Sequence, residues 1–191
     1  MKKTLMTGLL AAGFLLPGLT QAATYKIDQE GQHAFIEFRI QHLGYSWLYG
    51  RFNDFSGQFT YDQDNPDDSS VQVRIDPASI DTNHAERDKH LRGEEFLHVG
   101  EYPKAKFVST RFDDHGDGTA TLTGKLTLHG KTNSVTIDVE HVGHGKDPWG
   151  GYRRGFIGTT TIALRDYGID YDLGPQSREV ELTLSVEGVR Q

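Results

Sequence analysis

Alternation of apolar and polar residues at every second position constrains this chain more than any other feature. In AFIEFRIQH, Ala34, Ile36, Phe38, Ile40 and His42 share one face, and Phe35, Glu37, Arg39 and Gln41 the other. The same period runs through VQVRI at 71–75, TLTGKLTLHG at 121–130, SVTIDVEHV at 134–142 and EVELTLSVEG at 179–188. Such runs, rich in β-branched residues, specify strands with one dry and one wet face. DFSGQFTYD, KAKFVSTRF and GFIGTTTIALRD fit the pattern less cleanly and complete a set of about eight strands. Acidic or glycine-containing turns separate them, as in DQDNPDD, DDHGDG and LHGKTNS.

An all-β chain of this kind closes into a barrel or stacks into a sandwich. Long strands that are dry on one side only favour an eight-stranded antiparallel barrel, which fills its interior with side chains or holds one small ligand. The expected inner wall is Ile36, Phe38, Ile40, Phe59, Val73, Ile75, Leu122, Leu126, Leu128, Val135, Ile137, Val139, Leu182, Leu184 and Val186. His42, at the end of its face, is the first polar group such a lumen would meet, or else a buried histidine bonded to backbone. Tyr45, Trp47 and Tyr49 either rim the cavity, since Tyr and Trp suit a site with a dry and a wet end, or pack on the barrel. Trp149, in the glycine-rich DPWGG loop, carries the same two readings, with loop anchoring favoured.

The first stretch, MKKTLMTGLLAAGFLLPGLTQAA, has two lysines, an apolar run and small residues. This is the pattern of a secretory signal peptide, with cleavage expected after Ala22. Its apolar run is short for a bilayer span, which needs about 20 residues. Residues 23–191 are then expected to form one barrel domain, exported to the periplasm. Losing Lys2 and Lys3 deepens the net charge from −7 to −9. That balance is poor for nucleic-acid phosphates and for anionic membrane surfaces. The absence of cysteine excludes thiol nucleophiles, disulfides and cysteine-held metals.

One short helix is expected near 84–92, in NHAERDKHLRGEEF, with Asn83 as N-cap, Glu86 completing a capping box and Gly93 as the stop. His84 and Asp88, or Glu86 and His90, have the spacing of paired metal ligands, but no third ligand accompanies either pair, and no metal or cofactor is expected. His84, Arg87, Asp88 and Leu91 share one stripe, so Leu91 can anchor the helix on an apolar mouth while the other three meet a polar head. The bland alternative is a solvated helix whose charges pair among themselves, for instance Asp88 with Arg92. Arg39 is a weaker candidate for the mouth, because alternation places it outside.

RDKHLR at 87–92, GQHAFIEFRIQHLGYSWLYGRF at 31–52, DPWGGYRRGF at 147–156 and DLGPQSREVELTLSVEGV at 172–189 resemble the YceI-like family over the whole mature chain. The resemblance implies a lipocalin-like antiparallel barrel with an elongated apolar cavity for a long isoprenoid or fatty-amide chain, and it permits a homodimer. The leading expectation is therefore a periplasmic carrier of an amphiphilic lipid such as a polyisoprenoid, an isoprenoid quinone or a fatty amide, without catalysis. Two alternatives stand beside it. One is an enzyme acting on such a lipid through the His/Asp/Arg cluster at 84–92, although GYSWL lacks the second glycine of a nucleophile elbow, no HExxH occurs, and Gly124 stands where the DDHGDG segment would need a calcium ligand. The other is an outer-membrane barrel, with its apolar faces outward.

Overall fold

The computed structural model describes residues 22–191; the expected signal peptide, apart from Ala22, lies outside them. Eleven strand segments form one antiparallel sheet: β1 (Ala23–Ile27), β2 (Phe35–His42), β3 (Ser46–Phe52), β4 (Phe55–Tyr61), β5 (Ser70–Ile75), β6 (Ile80–Asp81), β7 (Ala105–Asp114), β8 (Thr119–Leu128), β9 (Lys131–Lys146), β10 (Tyr152–Ala163) and β11 (Glu179–Arg190). One helix, α1 (Ala85–Leu91), lies between β6 and β7.

Eleven segments make eight barrel strands because three strands are broken. β11 pairs along one edge with β1 (Tyr25 opposite Arg190) and then with β2 (Arg39 opposite Glu181), so β1 and β2 are two halves of one strand. β4 pairs with β1 and β3 with β2, and β5 and β6 continue the series. The remaining strands follow in sequence order, and β10 meets β11 on its other edge. Each of the eight segments legible in the sequence occupies a different barrel position. Those not foreseen, β1, β3 and β6, are the other halves of broken strands.

The breaks have local causes. Asp76 caps a 3-10 turn at Pro77–Ser79 by accepting from the Ala78 N–H at 2.8 Å, which interrupts the strand between β5 and β6. A proline there removes a ladder donor. Bulges fall between Ser109 and Arg111 in β7 and at Val142 in β9, where Gly155 faces Gly143 but Phe156 faces His141.

The interior has two apolar clusters. One gathers Phe38, Phe107, Phe112, Ile137, Ile162 and Tyr167 toward the end covered by α1. The other gathers Tyr25, Ile27, Ala34, Phe55 and Phe59. Several rings lie close against glycines: a Cβ at Gly50 would overlap the Phe38 ring, one at Gly124 the Phe107 ring, and one at Gly188 the Phe59 ring. The opposite face of the sheet carries Glu37, Arg39, Gln72, Arg74, Lys125, Asp138 and Glu181. That polarity is the reverse of a membrane-spanning barrel, whose apolar band faces lipid. Among the described residues no helix is long and apolar enough to cross a membrane.

At the end holding the β9–β10 hairpin, Arg153 fastens three segments. Its guanidinium meets Asp28 at 2.5 Å, Asp147 at 2.8 Å and Glu187 within ion-pair distance. Burial pushes the Asp28 carboxyl up, but hydrogen bonds from His33, Arg153 and the Gly31 N–H outweigh it and hold the pKa at about 2 instead of 3.8. A depressed carboxylate pKa stabilises the fold above its unfolded value, and that contribution fades as pH falls through the folded value. Arg153→Met is therefore expected to lower stability by about 1–3 kcal/mol at neutral pH. In urea titrations across pH, the gap between variant and wild type should narrow from pH 3.8 down to about 2.

Candidate functional site

Between the two clusters the barrel encloses a cavity of about 200 Å³. Its wall is built almost entirely from inward-facing strand residues. Every expected wall residue lines it except Phe38 and Ile40. Those two sit on the inner face but nearer the helix end, where the Phe38 ring lies over Gly50 and against Thr82, and Ile40 packs on the same cluster. Lining residues that alternation did not identify include Ile27, Phe52, Val71, Phe107, Phe112, Phe156 and Ile162. The only polar side chains in the wall belong to Thr60, Ser69, Ser70, Tyr61 and Thr160.

The residues expected at the mouth are not gathered there. Arg39 and Trp47 are on the outer surface, with the guanidinium carbon 4.3 Å from the Trp47 ring centre and an ion pair to Glu181 at 2.5 Å. Their odd-numbered positions point away from the lumen, as alternation requires. Tyr45 and Tyr49 are exposed. His42 ends the β2–β3 hairpin, opposite Ser46, and is exposed and absent from the cavity wall. Trp149 is exposed too, 5.5 Å from the Arg153 guanidinium carbon.

The charged run at 84–92 is spent on its own architecture. Asp88 is buried, and its carboxylate accepts from the Thr82 N–H at 2.9 Å and from the Thr82 hydroxyl. Arg87 donates to the Thr82 hydroxyl oxygen at 2.7 Å and to the Thr82 carbonyl at 2.6 Å. Arg92 donates to the carbonyls of Ala78 and Ile80 at 2.7 and 2.9 Å, not to Asp88. The N-cap is His84, whose Nδ1 accepts from the Arg87 N–H at 3.2 Å; Asn83 instead takes a left-handed φ of 60°. The chain must turn at Asn83 to bring the Thr82 N–H onto Asp88. Arg87 and Asp88, expected at the mouth, thus staple the helix to the loop before it and His84 caps it, and none of the three lines the lumen. Leu91 does pack on the core cluster, anchoring the helix as expected.

No metal pair forms on the helix. His90 Nε2 lies 2.6 Å from Glu95 rather than near Glu86. Among the described residues the one group with metal-ligand spacing is Asp28, His33 and Glu187, and the Arg153 cation already sits on both carboxylates.

At the β9–β10 end a second polar group was missed. Arg154 is buried, with its guanidinium carbon 3.9 Å from the Tyr61 ring centre and Nη1 3.5 Å from His141 Nε2. Burial, then Arg154 and His144, pushes the His141 pKa down, so the ring is neutral and its Nε2 can accept. Burial also raises the Tyr61 pKa, against the pull of Arg154. One signal for this site exists in the sequence: two adjacent arginines in a strand cannot both face out.

A closed eight-stranded meander around a dry lumen defines a class of small barrels able to enclose an apolar ligand. The chain belongs to the YceI-like family, whose domain model matches residues 25–188. It is 60% identical over 191 residues, the whole of both chains, to a UPF0312 protein of Pseudomonas paraeruginosa. To a UPF0312 protein of Serratia proteamaculans it is 58% identical, covering 100% of this chain and 98% of that one. Among solved structures it resembles a Campylobacter jejuni YCEI protein (TM-score 0.71, 26% identity, 80% of this chain and 90% of that one). The fold is also that of BcnA from Burkholderia cenocepacia (TM-score 0.73, 23% identity, 84% and 98% covered). It is likewise that of a polyisoprenoid binding domain from Saccharophagus degradans (TM-score 0.65, 16% identity, 88% and 99% covered).

Replacing Asp88 by Ala is expected to destabilise the protein by about 2–3 kcal/mol, since charge-assisted bonds to Thr82 are lost in a buried place. Urea unfolding should show a lower midpoint with an unchanged slope. The folded fraction should keep its lumen, because none of the helix residues lines it.

Proposed function

We propose that this protein is a periplasmic, non-catalytic carrier that sequesters the apolar chain of an amphiphilic lipid, a polyisoprenoid, an isoprenoid quinone or a fatty amide, inside the barrel. The observation that carries the reading is the continuous apolar wall from Ile27 to Val186 around an open lumen. Each CH₂ or equivalent moved from water into such a wall contributes about 0.8 kcal/mol. Roughly 15 carbons then offer about 12 kcal/mol, against an association cost of about 4–15 kcal/mol. Useful affinity needs few polar contacts. The binding named for the Saccharophagus degradans domain is of the same kind, and the apolar run before Ala22 supports export.

The direct test is native mass spectrometry of the mature protein after incubation with geranylgeraniol. One lipid per chain is expected. Val73→Trp, which fills the lumen from its wall, should reduce uptake at least about tenfold while far-UV circular dichroism is unchanged. Wild-type protein that stays lipid-free, or a filled variant that binds as well as wild type, would overturn the reading. Export has its own check: protein released by osmotic shock should begin at Ala23. Protein retained in the cytoplasm with residues 1–22 intact would refute the location.

A further inference from the structure

The two ends of the barrel are covered by different means. Toward α1 the cover is rooted in buried residues, Asp88, Phe96, Leu97, Tyr167, Ile169 and Ser177. At the other end residues 62–69, which join β4 to β5 around a 3-10 turn at Pro66–Asp68, form a strap in which no residue is buried. The strap lies where the ladder stops short. β5 pairs with β7 only from Gln72 opposite Val108 to Ile75 opposite Ala105. β7 runs on to Asp114 with β8 along one edge, Phe112 opposite Leu122 and Asp114 opposite Ala120. Along its other edge the strap takes the place of a strand, bonded to the Asp114 N–H.

The lumen comes up to this gap. Tyr61, Ser69, Ser70 and Val71, at the two feet of the strap, all border it, and so does Phe112 on the stretch of β7 beside the strap. Thr60 and Ser70 form the last rung of the β4–β5 ladder, with their hydroxyls 2.9 Å apart. Beyond that rung the strap is closed largely on itself. The Asp62 N–H donates to the Ser69 hydroxyl at 3.4 Å, the Asp62 carboxylate accepts from the Asp64 and Asn65 N–H groups at 2.9 and 3.1 Å, and the Ser69 N–H donates to the Pro66 carbonyl at 2.9 Å. A loop whose ends meet and whose bonds are internal can move as one piece. Its tie to the barrel is Asp67, whose carboxylate accepts from the Asp114 N–H at 2.9 Å; next to it the Ser109 hydroxyl accepts from the Val71 N–H at 2.9 Å. Local opening costs least where few apolar groups are buried, so the strap opens before the helix end does.

We infer that the strap is the lid of the lumen, swinging about its feet at Asp62 and Ser69 to release Asp114, so that a chain enters and leaves between β5 and the outer half of β7. The inference rests on the lumen reading proposed above and adds the route by which the lumen fills. A sheet closed on β11 gives no passage through an intact ladder without breaking a run of backbone hydrogen bonds. Lifting the strap leaves every β5–β7 rung in place. It breaks the bond between Asp67 and Asp114 and uncovers Val71 and the buried Phe112, an apolar entrance for an apolar chain. Entry and exit then wait on the same opening step, so the tie sets the exchange rates and not the affinity.

The test uses the full mature chain and stopped-flow uptake and release of parinaryl alcohol, a slender polyene whose fluorescence rises in an apolar site. Asp67→Ala removes the tie and is expected to raise both rate constants about threefold to tenfold, the factor one hydrogen bond is worth, while the dissociation constant changes by less than about twofold. Asp67→Asn keeps an oxygen to accept from the Asp114 N–H, and its rates should stay within about twofold of wild type. Tyr171→Ala loosens the cover at the opposite end, where that ring centre lies 4.8 Å from Phe96 and 5.8 Å from His90, and should leave both rates unchanged. Hydrogen exchange in wild-type protein needs no probe. The Val71 N–H, beside the strap, should be protected at least about tenfold less than the Leu97 N–H, which donates to the Leu91 carbonyl at 3.0 Å in the helix end. Rates that Asp67→Ala leaves unchanged, rates that Tyr171→Ala raises instead, or equal protection at the two ends overturn the lid alone. Failure of the probe to bind wild type overturns the lumen reading, and the lid falls with it.

Discussion

Closure of the sheet on β11 is the constraint from which the rest follows. One strand holds β10 on one edge and the two halves of a broken strand, β1 and β2, on the other. With no partnerless edge on β11, the inner face becomes a sealed surface, and its period-two residues have nowhere to go but toward each other. At eight strands the interior is narrow enough for side chains to fill. What keeps it open here is the placement of rings on glycines. Phe107 on Gly124 and Phe59 on Gly188 lie along the wall, and Phe38 on Gly50 lies beyond it toward the helix, where a Cβ would push each ring aside. An apolar hollow of about 200 Å³, at roughly 24 cal/mol per Å³, forgoes about 5 kcal/mol of packing. That is a large share of the roughly 5–15 kcal/mol that holds a typical domain folded. A chain lying in the lumen restores those contacts, so occupancy and stability are coupled.

Arginine chemistry divides the polar parts of the molecule by task. Arg87 and Arg92 satisfy backbone carbonyls around the loop before α1, and Arg153 ties β1, β11 and the β9–β10 hairpin through carboxylates. In all three the planar guanidinium engages more than one acceptor, and in Arg153 those acceptors come from separate segments, which an ammonium of one point charge does less well. Arg154 differs in having an aromatic face and a neutral imidazole as its neighbours and no carboxylate to neutralise it. The charged run that looked most functional is therefore structural.

How much of this could be read from the sequence depends on where the period of two survives. Long uninterrupted strands such as β8, β9 and β11 declared both their existence and their inner face, and Leu122, Ile137 and Leu184 line the lumen as alternation implies. β3 did not, because its inner positions are Leu48, Gly50 and Phe52 while Trp47 and Tyr49 face out, which blurs the hydrophobic signal. In β7 the irregularity between Ser109 and Arg111 keeps Phe107 and Phe112 on one face although they are five residues apart. A strict alternation puts them on opposite faces. The helix cap moved by one residue for a reason with no local signature. Asp88 had to reach back to Thr82, and that contact is visible only once the chain has turned.

The two ends of the lumen give a bound amphiphile a direction. Toward α1, the wall is Phe52, Pro77, Ala105, Leu126, Leu128 and Val135, with Leu91, Phe96 and Tyr167 in the cluster behind it. Thr160, level with Leu182 and Phe38, has the hydroxyl nearest that end and already donates it to the Thr136 carbonyl at 2.7 Å, so a carbonyl placed there would surrender its water for little, at roughly 2–7 kcal/mol. At the opposite end Tyr61, Ser69 and Ser70 bring hydroxyl groups to the wall. An energy gap of even about 2 kcal/mol fixes one orientation over the other by roughly thirtyfold. A chain lying in the lumen would then carry its polar end toward Tyr61, Ser69 and Ser70 and its apolar end toward α1.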